Sequence, residues 1–348
     1  MASTDDNPAS PSHLEYGIMT NTPFCLARHS AAVLLACAAA LAPLGAASAQ
    51  EYPAKPIHVV NPWPPGGSSD AIARPIVARL AERIGQPVVF ENKSGASGSL
   101  GTSTVARAKP DGYTMLIADV TPLLIVPALR TDLSYDSKND FEPVTQMTSA
   151  ALVLVVRSDI PAKNVQELVA YAKERPGKLS FASAGNGSIT HLAGEMFMAR
   201  TGIQALHVPF QGQSPTLTAL MGGQVDMGFL NASGIASQLA SDKLRALAVT
   251  TPKRYEEFPD LPTVAETYPG FEAVSWYGLV VPKGTPADIV ARLNKEVVAV
   301  LREPEMASML KSRGVAVEGT STADFRAKIE QDSAQWTEVV KRANITLQ

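Results

Sequence analysis

Two loops carry the residue types that hold a small anion. The first, Pro62-Trp63-Pro64-Pro65-Gly66-Gly67-Ser68-Ser69-Asp70, lies between an apolar strand pattern and a helical one. Gly66 and Gly67 have no side chain, so backbone N–H groups there can approach a ligand. The helix start that follows offers unpaired N–H groups and a partial positive charge of roughly half a unit, which favours an anion. Ser68 and Ser69 add hydroxyls that also suit a helix cap. A plain Pro-Gly turn is the alternative reading. The second loop, Ala184-Gly185-Asn186-Gly187-Ser188, repeats the construction ahead of a helix containing His191. One such loop in each half of the chain would grip the two ends of a dicarboxylate. Neither contains Lys or Arg, so a carboxylate would be held by backbone dipoles. About four hydrogen bonds to a charged group, at ~1.5–3 kcal/mol each, supply roughly 6–12 kcal/mol. Micromolar capture needs ~8 kcal/mol, so these donors suffice when desolvation is modest. Asp70 would repel an anion, and its side chain is expected to turn back onto loop or helix amides.

Other chemistry is thinly supported. There is no G-x-S-x-G, no Walker A loop and no G-x-G-x-x-G. His191 and Glu195 stand four apart on one helix, a spacing that can hold a metal, but no third ligand is placed and a structural pair is the simpler account. Ser188 and His191 form the one local nucleophile–base candidate, with no third partner in view, so a carboxylate-ester hydrolase is a minor alternative. Phe210 and Gln211 end a strand pattern where a loop aromatic and an amide can reach a cleft. Trp276 either lines that cleft or packs a hinge. No catalytic residue, metal or cofactor is expected.

The elements that position these loops alternate. Ile57–Pro62, Val88–Asn92 and Met115–Asp119 read as buried strands, with helices at Asp70–Ile84 and Thr102–Ala108 between them. That order implies parallel β-α-β units in an α/β sheet. Ile72, Ile76, Leu80 and Ile84 make one apolar stripe, and Gly85 with Pro87 ends the helix. Pro75 within it should remove a hydrogen bond. A second series follows, with strands at Leu152–Arg157, Leu179–Ala184, Leu206–Phe210, Met227–Leu230 and Leu244–Thr250 and helices at Val165–Glu174, Ile189–Thr201 and Thr216–Met221. A strand at Gly278–Pro282 and helices at Pro286–Arg302 and Ala323–Ala343 complete the chain. The economical arrangement is two α/β lobes, 50–153 with 276–348 and 154–275, crossed by the chain near 151–156 and 272–278. Ligands of open α/β sheets bind beyond the carboxyl ends of strands, here in the cleft between lobes.

The 348 residues are 45% apolar and 18% charged, close to the globular average, which excludes disordered and fibrous classes. A net charge of −3 provides no basic field for nucleic acid. Residues 1–49 read as a secretory signal peptide: Arg28 and His29, the apolar run Ala31–Ala42, then Ala47-Ser48-Ala49 as the exit. Met19 is a possible start, and lipidation at Cys37 is a second reading of the run. Cys25 and Cys37 both lie in this leader, so the chain from Gln50 has no thiol and needs no disulfide.

At these loops the chain resembles the Bug receptors, the TctC-like substrate-binding components of tripartite tricarboxylate transporters. The resemblance runs from about Tyr52 to the C-terminus. It rests on Pro-Pro-Gly-Gly-Ser-Ser-Asp (64–70), Phe-Glu-Asn-Lys-Ser-Gly-Ala-Ser-Gly (90–98), Lys-Pro-Asp-Gly-Tyr-Thr-Met-Leu (109–116) and Asp-Phe-Glu-Pro-Val (140–144). It continues through Ser-Ala-Gly-Asn-Gly-Ser (183–188), Val-Pro-Phe-Gln-Gly (208–212), Met-Gly-Gly-Gln-Val-Asp (221–226) and Ser-Trp-Tyr-Gly-Leu-Val-Val-Pro-Lys-Gly-Thr-Pro (275–286). It implies a periplasmic, monomeric, two-lobe receptor of the periplasmic-binding-protein type II class that closes on a small organic acid and meets membrane transporter subunits. In such receptors Gly66–Asp70 and Gly185–Ser188 would hold carboxylates through backbone amides and ordered water, and Trp63 would touch the ligand body. Trp63 stands where phenylalanine is frequent, Lys93-Ser94 where Arg-Pro is common, and Gly228-Phe229-Leu230 lacks an acidic residue common after the aromatic. A ligand-presenting sensor for a membrane histidine kinase shares the same pocket and is the alternative role. Trp63 and Phe210 favour an aromatic or elongated acid.

Overall fold

Short apolar runs form the interior strands because both of their faces are covered. In the computed structural model, which describes residues 52–235, 237–239 and 241–342, the first series contains β1 (Ile57–Asn61), β2 (Val88–Asn92) and β3 (Thr114–Asp119). β1 lies between β2 and β3, parallel to both. The expected leader, with Cys25, Cys37 and Met19, lies outside the described residues, as does Ala343. β4 (Phe141–Arg157) follows, then β5 (Leu179–Ser183), β6 (Ala205–Pro209), β7 (Met227–Asn231) and β8 (Leu244–Val249). β5 runs parallel to β6 and β7. β9 (Val274–Pro282) and the two-residue β10 (Ala316–Val317) complete a sheet of order β2-β1-β3-β9-β4-β7-β5-β6, with β8 and β10 paired to β4. The molecule is thus a mixed α/β fold.

β4 joins the two halves. Its residues 141–151 pair antiparallel with β9, and its residues 152–157 pair with β7 and β8, so the partner changes between Ala151 and Leu152. The apolar run Leu152–Arg157 is readable as a strand from sequence. The preceding half is not, because Thr145, Gln146, Thr148 and Ser149 interrupt its apolar pattern. Those residues enter the sheet because distant groups satisfy them: Thr145 Oγ1 donates to the Thr320 carbonyl at 2.8 Å, and Gln146 N–H donates to Thr320 Oγ1 at 3.0 Å. Two register shifts, at Pro143/Thr145 and Gln146/Thr148, absorb the proline and the change of face.

The helices follow the expected stripes. α1 (Ser68–Ile84) buries Ile72, Ile76 and Leu80 against the sheet, roughly 5–9 kcal/mol of gross hydrophobic stabilisation at ~1.5–3 kcal/mol per side chain. Gly85, in the left-handed region at φ 67°, ends it by donating to the Ala81 carbonyl. α2 (Ser99–Ala106), α3 (Val165–Lys173), α4 (Ile189–Thr201), α5 (Gln213–Met221) and α6 (Ala287–Leu301) come next. α7 (Pro304–Ser312), absent from the sequence reading, and α8 (Thr322–Arg342) close the chain.

Pro75 has a compensating partner. Lacking an N–H, it leaves the Ala71 carbonyl without its helical donor. The Arg313 guanidinium, just past α7, donates Nη1–H to that carbonyl. Arg313→Ala should therefore lower the melting temperature by about 2–4 °C, the effect of losing ~1 kcal/mol from a protein of this size. Adding Pro75→Ala should recover part of the loss by restoring the N–H. Thermal denaturation of the two single variants and the double variant checks this; additive losses would contradict it.

Candidate ligand-binding cleft

Between the halves lies a cavity of about 80 Å³, room for roughly five to eight water molecules at ~10–15 Å³ each. One wall is the β1–α1 loop with the first turn of α1: Trp63, Pro64, Pro65, Gly67, Ser68 and Ser69. Asp119 and Thr121 enter from the end of β3, and Ser275 and Tyr277 from β9. Across from them stand Ser188, Ile189 and Thr190 at the start of α4, with Gln211, Gln213 and Asn231.

The first turn of α1 keeps free donors. Gly67 precedes the helix and has no side chain to cap it. Among the described residues none accepts from the N–H groups of Ser68 and Ser69. Ser69 Oγ, 2% exposed, and Asn231 Oδ1 also lack a partner. Gly66 holds the preceding turn at φ 76°, a region disfavoured for residues with a Cβ. Asp70 turns away from the cavity, as anticipated. Its carboxylate accepts from the Gly66 N–H at 3.1 Å, from Arg74 Nη2 at 2.6 Å and from Asn92 Nδ2 at 3.1 Å. Burial alone would push this acid up, but Arg74, Gly66 and Asn92 together hold it below the usual carboxylate range. Asn92 also donates to the Trp63 carbonyl, which ties the loop to β2.

The second loop is not the mirror image that its composition suggests. Gly185 N–H donates to Ser183 Oγ, Gly187 N–H to His191 Nδ1, Ser188 N–H to the Gly185 carbonyl and His191 N–H to Ser188 Oγ. From 184 to 192, among the described residues, only the N–H groups of Asn186 and Thr190 lack a protein acceptor. This loop offers hydroxyls to the cavity more than amides. Gly185, Asn186 and Phe210 line a separate, outer hollow beyond Trp63, with Gln211 shared by both spaces.

Trp276, Gly187 and His191 stand outside the cavity wall. Trp276 is 0% exposed: its indole N–H donates to Asp332 Oδ2 at 2.8 Å and its ring meets Phe325 edge-on, which pins α8 to the sheet. Side chains alternate along a strand, so Ser275 and Tyr277 face the cavity and Trp276 faces the opposite way. His191 stacks on His207 at 3.9 Å, and its Nδ1 is occupied by the Gly187 N–H, which also takes Gly187 out of the cavity wall. His207 is pushed down to about 4 by burial and by the neighbouring His191, so it stays neutral. Ser188 Oγ bonds the backbone of His191 and the hydroxyl of Thr190, not the imidazole, which removes the nucleophile–base geometry a hydrolase needs. His191 Nε2 pairs with Glu195 at 3.5 Å; among the described residues no cluster of three metal-ligating side chains occurs.

Asp119, Thr121, Gln213, Asn231, Ser275 and Tyr277 were missed from sequence. Asp119 and Asn231 end β3 and β7, and the rule that ligands meet strand carboxyl ends could have flagged both. Asp119 is 4% exposed, and its oxygens accept from the Trp63 indole N–H and from the Thr121 N–H at 2.7 Å. Burial pushes this acid up to about 7, against the lowering effect of those bonds.

Among the described residues, hydrogen bonds from Ser97, Ser214 and Ile189 cross the cleft. Ser97 Oγ donates to the Asn186 carbonyl at 2.6 Å, Ser214 Oγ to the Gly66 carbonyl at 2.8 Å, and Ile189 N–H to Thr121 Oγ1 at 3.2 Å. Ala96 and Ser97 both adopt positive φ, 47° and 52°, so strained backbone carries Ser97 to its partner.

The comparisons agree with this architecture. Residues 72–345 match the model of the tripartite tricarboxylate transporter family receptor, TctC. The chain belongs to this family. The TctC family is one of periplasmic transport receptors, so this chain is a periplasmic solute-binding protein and not an enzyme. Protein BugT of Bordetella pertussis (strain Tohama I) is 34% identical over 317 residues, spanning 90% of this chain and 96% of BugT. The periplasmic binding protein BugD superposes with a TM-score of 0.81 at 36% identity, over 85% of this chain and 100% of BugD. R. palustris Rpa4515 with adipate gives 0.82 at 35%, over 85% and 99%, and MatC (Rpa3494) from Rhodopseudomonas palustris with bound malate gives 0.79 at 32%, over 83% and 100%. The fold is accordingly of the periplasmic-binding-protein type II class.

Each cross-cleft bond should contribute ~0.5–1.5 kcal/mol to closure. Ser97→Ala and Ser214→Ala should each weaken ligand affinity about two- to tenfold, with little change in melting temperature because both bonds lie near the surface. Small-angle scattering should show a larger radius of gyration for the double variant. An unchanged profile would mean other contacts hold the cleft shut.

Proposed function

We propose that this protein captures a small aliphatic dicarboxylate in the cleft and presents the closed form to the membrane subunits of a tripartite tricarboxylate-type transporter. One observation carries the reading: the cavity wall holds unpaired donors, the Ser68 and Ser69 N–H groups with Ser69 Oγ, at a helix N-terminus. One ligand carboxylate seats there. The hydroxyls of Ser188 and Thr190 and the side chain of Asn231 receive the other end, directly or through water. The adipate and malate in the two related structures are acids of this class. The cavity volume supports a short aliphatic acid over an aromatic one, since the Trp63 N–H is committed to Asp119 and Phe210 lines the outer hollow.

A thermal-shift panel of aliphatic, aromatic and amino dicarboxylates tests this directly. A ligand at 100 times its Kd should add ~2.7 kcal/mol, a rise of several degrees. Gly67 has φ −83°, open to any residue, and a Cβ there would meet only the Pro64 carbonyl at 3.6 Å. Gly67→Phe should therefore fold normally and lose the shift by filling the cavity wall. A shift that survives in Gly67→Phe would move the site elsewhere; no shift with any diacid would remove the reading.

A further inference from the structure

Asp119 is an unexpected group for a receptor of dianions. It lines the cavity, is almost fully buried, and has no Lys, Arg or His bonded to it among the described residues. The titratable groups that face it are Tyr277 from β9 and Tyr135, and burial raises both, so neither supplies a positive charge. Trp63 and Thr121 each donate one N–H to it. An ionised Asp119 beside a bound carboxylate would place two like charges in one desolvated space, with free helix donors enough for only one of them. By contrast Asp70, in the first turn of α1, is ionised but turned away and paired with Arg74.

We propose that Asp119 acts in the captured state as a neutral acid: its carboxyl O–H donates to a ligand carboxylate, and each dianion bound takes up one proton from solvent. The inference rests on the cleft reading above. The balance is simple: the proton comes from water, the two N–H bonds from Trp63 and Thr121 remain, and the O–H replaces a repulsion with a short hydrogen bond. The protonation also reaches closure. Thr121 donates its N–H to Asp119 while its hydroxyl accepts from Ile189 across the cleft, so one residue joins the acid to the opposing half.

The direction of pH dependence follows. In the empty protein Asp119 titrates near neutrality, because burial pushes it up to about 7. A bound anion raises it further, so binding is linked to proton uptake above that value and not below it. Adipate is the informative probe, because its dianion carries no hydrogen-bond donor for an ionised aspartate to accept. Calorimetric titration from pH 6 to pH 9 should give a flat Kd at the acid end, then weakening that approaches tenfold per pH unit above about 7.5. At pH 8, titrations in buffers of different ionisation enthalpy should show close to one proton taken up per adipate, a measurement that needs no variant. Asp119→Asn should lose the pH slope, whatever its absolute affinity. Binding with no slope and no proton uptake would overturn the inference and leave the cleft reading intact. Binding of amino dicarboxylates alone, abolished in Asp119→Asn, would also overturn it, making Asp119 an ionised partner for an ammonium group. No binding by any diacid at any pH would remove both.

Discussion

An anion held without a cation needs donors that nothing in the protein already uses. In this receptor those donors exist because the first turn of α1 is uncapped. A helix usually satisfies its early N–H groups with a Ser, Thr, Asp or Asn side chain at the N-cap. Here the position is Gly67, and the nearest acid, Asp70, bonds the Gly66 N–H and Arg74 instead. Asn92 and the Trp63 carbonyl hold that arrangement from β2. Asp70, Arg74 and Asn92 thus tie one side of the loop to α1 and β2, and the turn that faces the cavity keeps its N–H groups free.

The opposite wall has a different character. Its glycine loop looks equivalent in composition, but Ser188 caps α4 and His191 occupies the Gly187 N–H. The histidine stack behind it, with His207 kept neutral by burial, serves packing. Free N–H donors are therefore concentrated on one side, and the facing side contributes hydroxyls and side-chain amides. This asymmetry makes the two walls of the cleft chemically different.

A few long-range bonds join the two walls of the cleft. The chain changes partner strands between Ala151 and Leu152 of β4, while one apolar cluster, with Leu116, Leu154, Phe181 and Trp276 among its members, runs through both halves. Against that background the bonds from Ser97, Ser214 and Ile189 bias the closed form. Two of them land on the carbonyls of Gly66 and Asn186, so the loops proposed to meet the ligand also meet the opposing half.

The sequence by itself determined the local structure. The α/β alternation, the apolar stripe of α1, its stop at Gly85 and the turn of Asp70 back onto Gly66 and Arg74 all follow from neighbouring residues, and the ordered motifs carried the family. What it could not determine was which polar groups remain unsatisfied. Trp63 meets Asp119 across 56 residues, Ile189 meets Thr121 across 68, and Thr145 meets Thr320 across 175. Those bonds decide that the polar half of β4 is a strand and that Asp119 is both buried and uncompensated. Trp276 shows the same division at the scale of one residue. The sequence reading began this strand only at Gly278 and left Trp276 in the crossing beside the cleft; the strand in fact starts at Val274, and its register in the sheet put Ser275 and Tyr277 into the cavity and the tryptophan behind it. Local geometry is fixed by adjacent chemistry; burial and hydrogen-bond satisfaction are fixed by residues far away in the chain, and only the folded structure brings those together.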